Sequence, residues 1–301
     1  MKEIEKSDYM FIEQKLEQVK LSSSQQAVAD YLISQRRLIK DMTILELAKE
    51  TYTSTATVIR LAKKLGYQGF DDLKKDYLKE IEYLDTHFCN VDPNFPFERG
   101  DNIQQIAYKV TQVADETIHD TCSLIEHDSL QKAVYLLKNA KKIHLCAISY
   151  CLMLGQIFKM DMLRIGKNVN IYDISGDELF LPAIVEEKDC VIFISYSGQI
   201  DKLCLLAKIL KQKGIQIIVI SALGQNELKQ YGDVVLNIST REKLYSKVKG
   251  YSNELSVLMI LDILYSCYYA LDYEGNKKKR QAISKSSEYN RFSTLEVMKE
   301  D

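Results

Sequence analysis

The sequence predicts an all-α region followed by an α/β domain built on a five-stranded, parallel, doubly wound sheet, and three observations carry that prediction. Its 301 residues amount to about two domains at roughly 150 residues each. From Ser22 to about Tyr83 the apolar residues recur at spacings of three and four, with no strand-like alternation. After Asn139 the pattern changes to short apolar runs separated by helical stretches, the mark of strands buried on both faces with helices crossing between them. Glycine is scarce at 12 and proline scarcer at 3, which disfavours a turn-rich all-β architecture.

The charge balance narrows the function classes. With 40 Lys and Arg against 42 Asp and Glu, a surface that wraps nucleic acid all over is excluded, and any such contact must be local. The seven cysteines (Cys89, Cys122, Cys146, Cys151, Cys190, Cys204, Cys267) are scattered and never form C-x-x-C, so neither a zinc site nor a disulfide framework is expected. The four histidines, His87, His119, His127 and His144, lack ligand spacing, and no metal or other cofactor is expected. The opening MKEIEKSDYM has no apolar signal core, and the greasiest stretch, Leu255 to Tyr269, is broken by Asp262 and too short to span a bilayer. A reducing, cytoplasmic setting without membrane attachment is the expectation.

The helical third, residues 1–84, can be read element by element. A serine among Ser22, Ser23 and Ser24 caps a helix with Val28, Tyr31 and Leu32 on one face, and Thr43 caps a short helix with Glu46 completing a capping box. Ser54 caps the next, TATVIRLAKKL, whose Val58, Leu61, Ala62 and Leu65 form an inward stripe before Gly66 ends it. Two short helices joined by a tight turn, the second cationic on its outer face, is the pattern of a helix-turn-helix DNA reader. Thr57, Arg60 and Lys64 are expected to project together beside Lys63, and no Asp or Glu occurs from Thr51 to Phe70, which suits a phosphate backbone. Thr55, Ala56 and Thr57 are small enough to enter a major groove, and the Arg60 fork can reach guanine. An amphipathic helix with a merely solvated basic face would show the same spacing.

The segment Ile44 to Lys74 resembles the helix-turn-helix module of the RpiR/MurR-type transcriptional regulators. The match rests on Glu46-Leu47-Ala48, Ser54, Ala56-Thr57-Val58, Arg60, Lys63-Lys64-Leu65-Gly66-Tyr67, Gly69-Phe70 and Leu73-Lys74. Ser54, Thr55, Thr57, Arg60, Lys63 and Lys64 are then the candidate DNA contacts. Tyr52 stands where the family usually has glycine, so this turn must either change shape or place Tyr52 in a left-handed conformation.

Two of the three prolines fall in DPNFPFERG, and residues 85–100 read as a linker before a sensor domain at 101–301. Asp101 or Asn102 caps a long helix with the stripe Ile103, Ile106, Ala107, Val110, Val113, Ala114 and Ile118, expected to pack on its own domain or on a second copy. Five strands follow: KIHLCAI, NVNIYDI, DCVIFIS, IQIIVIS and DVVLNI. Ligands on such sheets lie at the C-terminal strand ends. There the third strand runs into Ser195-Tyr196-Ser197-Gly198-Gln199, where hydroxyls and N–H groups at a helix start suit an anion such as phosphate.

The segment from about Lys138 to Asp262 resembles the SIS (sugar-isomerase) domain, a phosphosugar-binding fold that follows this helix-turn-helix module in RpiR-type regulators. The match rests on Leu163-Arg164-Ile165-Gly166-Lys167, on Ser195-Tyr196-Ser197-Gly198-Gln199, and on Leu261-Asp262-Ile263-Leu264-Tyr265. The resemblance implies that Ser195, Ser197, Gly198 and Gln199 hold the phosphate with Ser221 nearby. Where the family's first strand ends in a glycine-rich turn ending in serine, this chain has Ala147-Ile148-Ser149-Tyr150-Cys151; Ser149 could supply a displaced hydroxyl, and Ile200 replaces a usual polar residue.

The expected function is a transcriptional regulator, a homodimer or higher homo-oligomer on a palindromic operator, modulated by a sugar phosphate or similar anion. The alternatives are a SIS-fold phosphosugar isomerase, for which Asp201 is the sole acid near the turn and better explained as a helix-dipole partner, or a regulator whose SIS domain only dimerises. Lys277-Lys278-Lys279-Arg280 reads as a solvated tail with DNA contact as the other possibility.

Overall fold

The computed structural model describes residues 12–87, 91–173, 176, 180–287, 295 and 297; Cys89, residues 88–90 of the expected linker and Ile174 lie outside them. The N-terminal unit contains α1 (Ile12–Gln18), α2 (Ser23–Gln35), a 3-10 turn (Arg36–Asp41), α3 (Ile44–Glu50), α4 (Thr55–Lys64) and α5 (Phe70–His87). Its boundaries follow from local chemistry. Ser22 and Thr43 each form a capping box, with Gln25 and Glu46, and Ser54 accepts from the Thr57 N–H. Gly66, at φ +96°, closes α4 in a Schellman arrangement: the Tyr67 N–H reaches the Ala62 carbonyl and the Gly66 N–H reaches that of Lys63.

The inward stripe of α4 is buried as expected, together with Val28 and Leu32 of α2, Leu47 of α3 and Phe70, Leu73 and Tyr77 of α5. Tyr31 is only half-buried. The Tyr77 hydroxyl donates to the Leu32 carbonyl at 3.0 Å, and the Lys74 ammonium donates to the Met42 carbonyl at 3.0 Å. Two polar ends thus tie α5 to the segment leading into the reading motif.

α5 runs through His87, three residues beyond the expected boundary, and 91–102 is irregular. α6 (Ile103–Ser123) starts on an Asn102 cap with a Gln105 capping box. Its packing corrects the first of the two expectations, that the stripe packs on its own domain: of those seven residues only Val113 is buried, while Ile103, Ala107 and Ile118 are exposed. The buried face carries hydroxyls instead. Thr117 and Thr121 donate to Ser252 and Ser256 of α11 (Tyr251–Ala270) at 2.8 and 2.7 Å. Paired hydroxyls can be buried without the cost of an unmet hydrogen bond.

The sheet has the order β2-β1-β3-β4-β5, all parallel, from β1 (Ile143–Ala147), β2 (Val169–Asp173), β3 (Cys190–Ser195), β4 (Gln216–Ala222) and β5 (Val234–Ile238). Each lies inside its expected run except β4, which extends one residue past it to Ala222, and β1 and β3 are buried along their whole length. α7 (His127–Asn139), α8 (Ser149–Leu163) and α11 share one core with one sheet face, and α9 (Leu181–Ile184) and α10 (Asp201–Gln212) share a second core with the other. Among the described residues no single helix is long and apolar enough to cross a membrane; Leu255 to Tyr269 lies in α11, whose Val257, Ile260, Leu261 and Leu264 are buried. The Lys277 to Arg280 run belongs to a helix, α12 (Tyr273–Ser287), with its three lysines exposed.

Glu80 of α5 is 6% exposed and accepts from the Ile12 N–H at 2.6 Å; burial pushes its carboxyl up to about 8. Below about pH 4.5 both folded and unfolded chains hold this proton; between there and about pH 8 only the folded chain does, so stability falls as pH rises through that window. Glu80→Gln, which keeps the acceptor, should flatten this fall by on the order of 1–3 kcal/mol in urea unfolding at pH 5, 7 and 8.5. An unchanged pH dependence would contradict the assignment.

Candidate functional site

Two surfaces meet the chemistry expected from the sequence, one in each unit. In the helical unit, α4 presents Ala56, Ile59, Arg60, Lys63 and Lys64 to solvent with Ser54 exposed at its start, while Thr55 is half-buried. Thr57 corrects the expectation that it projects outward: it is 5% exposed, and its hydroxyl lies 3.0 Å from that of the cap residue Ser54. Three residues beyond an N-cap, the position belongs to the cap rather than to the outer face. Arg60 folds back along its own helix, donating to the Ala56 carbonyl at 3.2 Å. The Lys64 ammonium reaches the Lys20 carbonyl. Both cations are held on the helix surface by contacts that a phosphate or a base edge could replace.

Tyr52, not among the candidates from sequence, stands at the head of this surface. It has φ +51° and is 98% exposed. The turn has therefore kept a glycine-type backbone at the cost of roughly 1 kcal/mol for a side chain in the left-handed region. Thr51 braces it, donating to the Leu47 carbonyl at 2.8 Å and meeting Thr53 at 2.9 Å.

In the α/β unit the chain leaves β1 toward β2 on one side and β3 on the other, so the crevice beyond the ends of β1 and β3 is the switch point of the sheet, where such folds take ligands. Both candidate turns open there. After β1, Ser149 is exposed and has φ +53°, again a glycine conformation without glycine. The neighbouring Cys151 is 4% exposed, and burial pushes its thiol up to about 11, so it is a packed apolar group rather than a reactive one.

After β3, Ser195 is 2% exposed and its oxygen accepts from the Gly198 N–H at 3.1 Å; the Ser197 oxygen accepts from the Gln199 N–H at 3.3 Å. The turn thus satisfies its own N–H groups, and each hydroxyl keeps a proton to donate. Nε2 of Gln199 is buried with no hydrogen-bond partner among the described residues, an unmet donor beside the turn.

Ser221 and Ser195 are partners across the β3–β4 ladder. Ser221 is fully buried and accepts from Asn226 Nδ2 at 2.9 Å, so it holds the turn from beneath. Asn226, missed in the sequence, fills the space that Gly198 leaves open: Gly198 has φ +62°, and a Cβ there would run into the Asn226 side chain. Tyr196 was also missed as a linking group. Its hydroxyl donates to the Glu242 carbonyl at 2.7 Å and accepts from the Glu242 N–H at 3.1 Å. The Glu242 carboxylate is engaged by Lys247 at 3.0 Å and by the Ser252 N–H.

A cleft of about 460 Å³ lined by Lys141, Lys142, Lys167 and Tyr172 lies at the opposite end of the sheet. Its lysines are occupied: Glu186 pairs with Lys141 at 2.6 Å and Lys142 at 3.3 Å, and Lys167 donates to the Ala140 carbonyl. His144 beneath it is 2% exposed, 3.2 Å from Asp189, with burial lowering its pKa. Among the described residues no three of His, Cys, Asp and Glu come together as a metal site.

Two substitutions test the turn geometry by chemical unfolding. Gly198→Ala should cost about 2 kcal/mol or more, since both the positive φ and Asn226 oppose a side chain. Ser149→Gly should be stabilising by roughly 0.5–1 kcal/mol, the left-handed strain relieved less the added freedom of the unfolded chain; a loss instead would mean that the Ser149 side chain makes a contact worth more than the strain.

Comparison with known proteins finds a known domain type over each unit. A model of the helix-turn-helix domain of the rpiR family matches residues 10–82, and a model of the SIS domain matches residues 136–266. The HTH-type transcriptional regulator YbbH of Bacillus subtilis is 27% identical over 256 residues, covering 85% of this chain and 88% of its own. Among solved structures, the NanR protein of Vibrio vulnificus complexed with ManNAc-6P aligns with a TM-score of 0.59 at 20% identity, over 93% of this chain and 99% of that one. The sugar isomerase domain of an RpiR transcription factor from Sphaerobacter thermophilus aligns at 0.54 and 12% identity, over 60% of this chain and 99% of that one. The chain belongs to the RpiR-type transcriptional regulators, in which a helix-turn-helix DNA-binding domain of the rpiR family is joined to a SIS domain.

Proposed function

We propose that this regulator reads a two-fold operator through α4 as a homodimer and that a sugar phosphate, held between the β1 and β3 turns, changes its operator affinity. The observation that carries the DNA half is the exposed, acid-free cationic face of Arg60, Lys63 and Lys64 on the second helix of the motif. Two copies are needed because a palindrome presents its half-sites one turn apart. The exposed apolar residues Ile103, Tyr108 and Ile118 of α6 and Met153, Ile157 and Met160 of α8 offer surface for the second copy.

The effector half is supported by the Ser195 to Gln199 turn at the switch point and by the likeness to NanR, a protein whose structure holds ManNAc-6P. Regulation is favoured over isomerisation by the acids nearby. Glu242 is bound to a lysine and a helix N–H, and Asp201 is the first residue of α10, so neither is poised as the general base that aldose–ketose chemistry needs. The altered β1 turn, with Ser149 and Cys151 in place of a glycine and a serine, motivates a second reading in which the SIS domain only dimerises.

Arg60→Ala should weaken operator binding by about 1–3 kcal/mol if Arg60 reads a base, whereas Lys63→Ala or Lys64→Ala should weaken all sequences alike and lower the salt slope by about one. A fluorescence titration across salt concentrations separates these outcomes; full affinity in Arg60→Ala would remove Arg60 from the interface. A screen of ManNAc-6P, glucose 6-phosphate and inorganic phosphate by thermal shift should raise the melting temperature for at least one sugar phosphate. That rise should vanish in Ser197→Ala, and its absence in the wild type would favour the dimerisation-only reading.

A further inference from the structure

The irregular segment after α5 is not a free tether, because the loop beside the candidate effector turn grips it. The loop between β5 and α11 passes Tyr196 and then residues 91–94 within a few positions. Glu242 is held at both backbone groups by the Tyr196 hydroxyl. Its two neighbours hold the segment: the Arg241 guanidinium, 4% exposed, donates to the Val91 carbonyl at 3.2 Å while pairing with Glu116 of α6 at 2.6 Å, and the Lys243 N–H donates to Asn94 Oδ1 at 2.7 Å. The Val248 N–H adds a bond to the Asn94 carbonyl at 2.9 Å. Asn94 is 6% exposed, with its own N–H and Nδ2 turned back onto Asp92. The prolines on either side, Pro93 and Pro96, are buried as well.

We propose that Asn94 is the receiver of the effector signal: a ligand at the β3–α10 turn shifts Tyr196, Tyr196 carries Glu242 with it, and Arg241 and Lys243 move the segment that leads to α5 and the DNA-reading unit. The inference rests on the reading of that turn as the effector site. Tyr196 lies between Ser195 and Ser197, so nothing that engages both serines leaves it untouched. Each grip is the residue next to Glu242 in the chain, so displacement is passed on directly. Pro93 and Pro96 fix φ on either side of Asn94, so a displacement of Asn94 is passed to its neighbours rather than absorbed by rotation there. Asn94 is a positioning residue in this scheme, remote from the ligand and from DNA.

The test uses the full chain and two readouts. In hydrogen exchange without ligand, Tyr196→Phe should speed exchange over 91–99 and 241–249 by roughly five- to tenfold, the factor expected for a lost hydrogen bond, with β1, β3 and β4 unchanged. Wild-type exchange over 91–99 would overturn the coupling. In operator titrations, Asn94→Ala should keep the thermal shift given by ManNAc-6P but lose at least half of the effector-induced change in affinity. Asn94→Asp keeps the oxygen that Lys243 needs but turns the group that donates to Asp92 into a second carboxylate oxygen, so it should lose the response as well. A full response in Asn94→Ala would also overturn the proposal. If the wild type responds to none of the phosphates, the effector reading fails, and the exchange measurement alone decides whether Tyr196 and Asn94 are coupled.

Discussion

The C-terminal edge of the sheet depends on the contact between Gly198 and Asn226. Because residue 198 has no side chain, Asn226 can press against the turn, bind Ser221 and accept from the Lys229 N–H. The Leu228 N–H closes the same knot on the Gly198 carbonyl at 3.1 Å. The two serines of the turn then face the switch point between β1 and β3 with their oxygens tied to the turn's own N–H groups. A ligand entering there replaces internal bonds with bonds to itself, and the free energy of binding is what remains after that exchange. Such a site favours ligands whose oxygens can use donors from both turns at once.

The parts legible in the sequence are those decided by neighbours within four residues. Ser54 and Thr43 with Glu46 were identifiable as caps, and the α6 cap was narrowed to Asp101 or Asn102, because a cap is completed by the next three residues. The strands were identifiable because burial on both faces leaves only apolar types. Thr57 shows the limit of reading a helix by its wheel: its angle suggested the outer face, but a hydroxyl three residues after Ser54 is drawn into the cap. The α6 stripe shows a second limit. Its apolar residues suggested a buried face, yet the buried face is the one whose threonines find serines some 135 positions away, and no local pattern records such a partner.

Asn226, Tyr196 and Asn94 were hidden for the same reason. Asparagine in an irregular stretch reads as a turn residue, and a tyrosine between two serines reads as a spacer; the partners that give each of them a role lie across the fold. Glycine carried information in the opposite sense. At Gly66 and Gly198 it marks a left-handed turn, whereas at Tyr52 and Ser149 the turn has kept the same hand without it. Backbone shape here is imposed by the surrounding elements and is not set by the residue that occupies the turn.

The hydroxyl pairs between α6 and α11 have a mechanical consequence. Thr117 meets Ser252 and Thr121 meets Ser256, so the two helices run in the same direction and both ladders step by four residues. A slide of half a turn would break both pairs and leave each threonine with only the carbonyl of its own helix, that of Val113 or Thr117, whereas a slide of one full turn, about 5.4 Å, would bring one pair back into register. The seam therefore behaves as a detent and not as a lubricated joint: it is stiff against small displacements and has a discrete position one notch away. A greasy interface of the same area would creep continuously under load, and this one holds its setting.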